Sequence, residues 1–183
     1  LFIATTIKLD ENYLQLRRQL KARTNYDSIV WVEDALQHIT LRFLGKTPDE
    51  KIPLVIEMLK KTAVSTSAFS MVMDKLGVFG SRYAPTTIWL GFNQFDPYKK
   101  LYEKVEEQLL QLDFEPNHGN FVPHITLGRI KKVDDKKHFW KLIDTSKPDF
   151  TQVISIDEII LFQSKLTPSG PLYKVIETFS LTK

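Results

Sequence analysis

Apolar and polar positions change period repeatedly along the chain, and each change marks an element. Leu1 to Ile7 is a short apolar run with two threonines and reads as a strand. Asp10 then opens a helix to about Ala22, with Leu14, Leu16 and Leu20 as its apolar positions. Trp31 and Val32 lead into a strand from Leu36 to Leu44. Thr47-Pro48-Asp49-Glu50 predicts a helix start, with Thr as cap and Pro in the first turn, and the helix runs to about Val64. Phe69 to Val78 alternates as a strand, Gly80 to Pro85 is a loop, and Thr86 to Phe92 is the next strand. Leu101, Val105, Leu109 and Leu112 form one stripe of a helix from Pro97 to Leu112. Asn117 to Asn120 is a turn before a strand from Phe121 to Ile130. A short helix over Asp134–Ile143, strands over Phe150–Ile156 and Glu158–Phe162, a loop over Ser164–Gly170 and a last strand over Leu172–Leu181 complete the reading.

Strand, helix and strand follow one another near the start, and the same order recurs in the middle. The second strand of each set carries one tetrapeptide, His-Ile-Thr-Leu, at 38–41 and again at 124–127. The chain therefore reads as a pseudo-duplication: an α+β fold of two pseudo-symmetric lobes fused in one domain over residues 1–183. No Pro/Gly/Ser linker or low-complexity stretch divides it. Alternation along a strand puts His38 and Thr40 on one face and Ile39 and Leu41 on the other, and does the same for the second copy. Two imidazole–hydroxyl pairs can then face each other across a cleft. They would supply a general acid, a general base and two hydroxyl donors for an anionic substrate. One His-x-Thr alone is commonplace. Here two of only four histidines fall inside identical tetrapeptides. The other two read as surface residues: His118 in a polar turn and His138 on an exposed helix.

Composition narrows the chemistry. The chain has 183 residues, 43% of them hydrophobic, with 12 Phe and 3 Trp, enough for a sizeable core. It has no cysteine, which excludes disulfides, thiolate nucleophiles and zinc-ribbon or iron–sulfur sites. No apolar run approaches the roughly 18 residues that span a bilayer. The opening segment lacks the basic start and length of a signal peptide, so a cytoplasmic location is the default. The chain does not begin with Met, which predicts residues before Leu1. The net charge of +3 is too small to establish a nucleic-acid partner. Lys131, Lys132, Lys136 and Lys137 read as a solvated face. Arg129 lies five residues after His124 and points to the opposite face of a regular strand. A twist or bulge near Gly128 would turn it back to the cleft. No carboxylate–histidine cluster has metal spacing, so neither metal nor cofactor is expected. No heptad or large apolar patch is visible, and monomer is the default.

With these motifs in view, the chain resembles the two-histidine phosphoesterase superfamily, and within it the RNA 2′,3′-cyclic phosphodiesterases formerly called 2′-5′ RNA ligases. The resemblance covers essentially the whole chain. It rests on the opening Leu-Phe-Ile-Ala, on Trp31, and on His38-Ile-Thr-Leu-Arg-Phe-Leu-Gly45. It continues through Thr87-Ile-Trp-Leu-Gly91, Phe121-Val-Pro-His-Ile-Thr-Leu-Gly-Arg129, Leu161-Phe-Gln-Ser164 and Gly170-Pro-Leu-Tyr173. Lys8-Leu9-Asp10 departs from the family's usual Leu-Pro, at a turn away from the site. The resemblance implies two antiparallel, helix-backed lobes around a central cleft. It implies metal-independent hydrolysis of RNA 2′,3′-cyclic phosphate ends, with RNA or nucleotides as partners and a 2′-phosphate as product. His38 and His124 are then catalytic, as acid and base respectively, and Thr40, Thr126 and Arg129 bind substrate. Phe121 and Tyr173 are candidates to stack on a base or line the pocket. Two alternatives stay open: a nucleotide-binding module without turnover, and ligation by the reverse reaction.

Overall fold

Four helices are interleaved with nine strands among the residues that the computed structural model describes, 1–167 and 170–183. In chain order they are β1 (Phe2–Thr6), α1 (Glu11–Arg23), β2 (Ser28–Trp31), β3 (His38–Phe43), α2 (Ile52–Val64), β4 (Phe69–Gly80) and β5 (Pro85–Phe92). Then come α3 (Asp96–Gln111), β6 (His124–Lys132), α4 (Lys136–Thr145), β7 (Gln152–Ile156), β8 (Glu158–Thr167) and β9 (Gly170–Ser180). The strands form one antiparallel sheet in the order β7-β4-β5-β6-β3-β1-β8-β9, with β2 paired to β6 off this path.

That order is built about its centre. The link between β3 and β6 is the pair Ile39↔Ile125, the same residue of the two repeated tetrapeptides. An antiparallel pair of equivalent residues lies on a local twofold axis. The axis relates β3 to β6 and β1 to β5, and the C-terminal hairpin β8–β9 completes the N-terminal half as β4 and β7 complete the other. The two lobes are therefore halves of one continuous sheet.

Strand alternation sorts the sheet into two faces. Ile3, Ile39, Leu41, Ile88, Leu90, Ile125 and Leu127 are buried in one apolar cluster with residues from all four helices, including Leu20, Leu59, Val105 and Phe139. The helices thus back this face. Tyr13 and Tyr98 are buried there with their polar ends satisfied. Tyr13 Oη donates to the Met73 carbonyl at 2.7 Å, and Tyr98 Oη to the Ile39 carbonyl at 3.1 Å. Burial with the charges of Asp74 and Asp10 pushes the Tyr13 hydroxyl up to about 12. The opposite face carries a smaller cluster of Phe2, Ala4, Ile160 and Phe162, and this is the face of the two histidines.

Several boundaries differ from the expectation. Helix α2 begins at Ile52, after a single 3-10 turn at Asp49–Lys51, and Thr47 does not cap it. Ser28–Trp31 is a strand in its own right, and Asp34–Leu36 is a 3-10 turn before β3. The loop expected over Ser164–Gly170 is mostly strand: β8 continues to Thr167 and β9 starts at Gly170, paired with it. The two residues between them lie outside the described residues. Asp10 does cap α1, accepting from the Tyr13 amide at 3.0 Å.

Candidate active site

Each motif strand starts at its histidine, and the residues just before it hold the ring. His38 Nδ1 lies 2.7 Å from the Leu36 carbonyl, and His124 Nδ1 lies 2.8 Å from the Val122 carbonyl. A carbonyl only accepts, so Nδ1 is the protonated nitrogen in both rings and Nε2 is left for chemistry. The two tethers are equivalent, each running to the residue two places back. They are built differently. The 3-10 turn Asp34–Leu36 presents one carbonyl, while the other belongs to Val122, directly before Pro123, a position where extended backbone is favoured.

Aromatic rings support each imidazole from its own half. His38 lies 5.3 Å from the Phe2 ring and 5.4 Å from Tyr173. His124 lies edge-on to Phe79 at 4.7 Å, and Phe79 stacks on Trp89 at 4.9 Å. Trp89 lies flat because its neighbours have no side chain: a Cβ on Gly77 would sit 2.3 Å from the indole, and one on Gly91 2.7 Å from it.

Arg129 reaches the same face through a β-bulge. Gly128 pairs with Ile88 and Thr126 with Trp89, so Leu127 has no partner across β5. The extra residue flips the parity, and Arg129, opposite Thr87, shares the face of His124 and Thr126. Gly128 permits this crowding, since a Cβ there would lie 2.8 Å from Ile29. The first motif repeats the device. Arg42 pairs with Ile3 and Thr40 with Ala4, leaving Leu41 bulged and bringing Phe43 onto the cleft face. Phe43 is thus the twofold counterpart of Arg129, and its ring is 61% exposed.

His38, Thr40, His124, Thr126 and Arg129 come together with Phe43 and Thr87 around a recess of about 90 Å³. Burial lowers the pKa of both imidazoles; the bonds to the backbone carbonyls oppose it. The Arg129 charge lowers both further, and for His38 the His124 charge does so as well. Arg129 has no ion pair among the described residues. A second hollow of about 470 Å³ adjoins the recess and shares His38, Thr126 and Arg129 with it. Tyr173 lines this hollow, its hydroxyl pKa raised by burial against the lowering charge of Arg129.

Phe121 lies elsewhere. Its ring stacks on Tyr102 at 4.0 Å and packs against the helix-backed core, lining neither cavity. An apolar position just outside the strand is equally served by a core partner, and α3 supplies one. Sequence reasoning misses Phe43 and Thr87. A signal for Phe43 does exist: the repeat extends beyond four residues, as His-x-Thr-x-x-Phe and His-x-Thr-x-x-Arg.

Among the described residues, such a recess offers two imidazoles with free Nε2 atoms, hydroxyl donors and a guanidinium without an ion pair. This is a set for acid–base chemistry on a small tetrahedral anion. A family model described as the 2′-5′ RNA ligase superfamily matches residues 14–167. The chain belongs to that superfamily. It is 36% identical over 148 residues to a Thermotoga maritima protein named RNA 2′,3′-cyclic phosphodiesterase, covering 80% of this chain and 76% of the relative. A Geobacillus stearothermophilus protein of the same name is 31% identical over 180 residues. That match covers 98% of this chain, which spans only 56% of that longer relative. The fold is shared with the crystal structure of TT0787 of Thermus thermophilus. The TM-score is 0.79 at 23% identity, over 98% of this chain and 96% of the other. Among the described residues of this superfamily member, no three His, Cys, Asp or Glu side chains lie together as a metal site. Among them, too, no helix is long and apolar enough to cross a membrane.

Proposed function

We propose that the chain hydrolyses RNA 2′,3′-cyclic phosphate ends to 2′-phosphomonoesters, without a metal. The observation that carries this reading is the pair of tethered imidazoles about one recess of phosphate size. Two relatives of that name support the substrate class.

The reaction needs a proton taken from water and another given to a ribose oxygen on the opposite side of phosphorus. The exposed Phe43 ring is a platform for the terminal base, since aromatic rings stack bases of any identity. Ile39 pairs with Ile125, which sets Thr40 across from His124 and Thr126 across from His38; the superfamily resemblance gives the departing O3′ to His38 and the water to His124. His124 Nε2 then takes the proton of the attacking water as its oxygen bonds to phosphorus. The P–O3′ bond breaks, and His38 Nε2–H protonates the departing O3′. Arg129 pairs with the nonbridging oxygens, for which a planar guanidinium is suited, and Thr40 and Thr126 donate to them. A bound anion also raises both imidazole pKa values, offsetting the effect of burial and readying His38 as the acid.

The test is incubation with RNA ending in a 2′,3′-cyclic phosphate, with and without EDTA, and identification of the product phosphate. The expected product is the 2′-monoester at equal rate in both. His38→Ala and His124→Ala should each lose about 10²–10⁴-fold in rate. An EDTA-sensitive activity restored by divalent metal, or an intact cyclic end, overturns the reading.

A further inference from the structure

The hydrolysis as proposed leaves the 470 Å³ hollow beside the recess without an occupant. We propose that it binds the base of the nucleotide immediately 5′ to the cyclic end, so that the unit recognised is a dinucleotide. This inference rests on the phosphodiesterase reading.

The hollow has a polar floor and apolar walls. Its floor is His38, Thr126 and Arg129, shared with the recess, so an occupant lies within one nucleotide of the scissile phosphorus. Its walls come from two separate edges of the molecule. Val30 projects from β2, whose partner in the sheet is β6, and Leu172 and Tyr173 project from the far end of the β8–β9 hairpin. Val30 is 56% exposed and Leu172 61%, and neither belongs to a core cluster. Aliphatic side chains held in water on two facing edges gain most from a flat apolar ligand slipped between them. The volume falls within the range of roughly 300–1,000 Å³ usual for small-molecule sites.

Two features assign the occupant. Phe43 adjoins the recess itself, whereas Val30, Leu172 and Tyr173 line only the hollow. The terminal base therefore takes Phe43, and the hollow is left to the next one. The charge balance selects a base over a backbone phosphate. Among the described residues, the hollow's one cation is Arg129, already facing the recess, and its one carboxylate is Glu33 at the rim. A second phosphate would find repulsion there, while a base presents no charge.

The test compares kcat/KM for a mononucleoside 2′,3′-cyclic phosphate, a cyclic-ended dinucleotide and the same dinucleotide lacking its 5′ base. The intact dinucleotide should exceed the other two by about tenfold or more, the scale of one stacked base. Leu172→Ala and Val30→Ala should shrink that ratio, with melting temperatures read in parallel to confirm folded protein. Equal values for all three substrates overturn the proposal while leaving hydrolysis intact. So does a Leu172→Ala loss that is the same for mononucleotide and dinucleotide, which would put the terminal base in the hollow. Hydrolysis of none of the three overturns the underlying reading, and this inference with it.

Discussion

At the scale of single residues, the site depends on what each ring nitrogen is bonded to. The backbone carbonyls of Leu36 and Val122 fix the tautomers, so Nε2 is the nitrogen left for chemistry in both halves. Burial lowers both pKa values below the usual 6.5, and Arg129 lowers them further. Catalysis as proposed needs one imidazole protonated and one neutral. In the free enzyme that state is then most populated on the acid side of 6.5, and kcat/KM should peak there. Arg129→Gln removes one lowering charge from both rings. Its kcat/KM should fall, and its pH optimum should move to higher pH. A pH–rate series on both proteins reads this directly, and an optimum that stays or moves to lower pH would separate Arg129 from the imidazoles. Arg129 is legible in the sequence only as a residue with two possible faces. The unpartnered Leu127 decides between them, and side-chain alternation alone carries no record of a bulge.

At the scale of elements, the motif strands are readable because both signals agree: β-branched and aromatic residues with a period of two, and a repeated phrase. The hairpin β8–β9 is not readable beyond Phe162. Gln163, Ser164, Lys165 and Leu166 are all exposed, so no buried face imposes alternation, and pairing with β9 alone holds them. Strand β2 has only four residues and escapes for want of length. Its position is maintained from outside: Arg17 of α1 pairs with Asp34 and donates to the Val32 carbonyl. On the other half, two strands are shaped around one ring. Gly77 on β4 and Gly91 on β5 give Trp89 its place, Trp89 supports Phe79, and Phe79 supports His124. Gly77→Ala puts a methyl 2.3 Å from the indole, and the ring must move. The variant should lose about 1–3 kcal/mol of stability, as overpacked sites do. It should also lower kcat more than it raises KM, since the indole supports His124 through Phe79. Gly119→Ala, where a Cβ meets only the Asn117 side chain at 3.6 Å, is the matched control. Unchanged kcat in a folded Gly77→Ala protein would show that the aromatic stack does not position the histidine.

At the scale of the whole molecule, the twofold through Ile39 and Ile125 makes two nearly equal half-sites, and the residues that break it are Phe43 and Arg129. The repeated His-Ile-Thr-Leu builds the symmetric part: tether, bulge and hydroxyl. Two residues further on, one half has Phe43 and the other Arg129. A stacking ring on the His38 strand and a cation on the His124 strand cannot be exchanged. As proposed, His38 is the acid and His124 the base. Leaving-group chemistry tests this against the reverse. A nucleoside phosphodiester whose leaving oxygen is already a weak base needs little protonation as it departs. With such a substrate His38→Ala should recover a large part of its lost rate, and His124→Ala should stay inactive, because water still requires a base. Rescue of His124→Ala with His38→Ala inactive would reverse the roles. Equal rescue of both would mean that neither half has a fixed role, and that the Phe43–Arg129 difference serves binding alone.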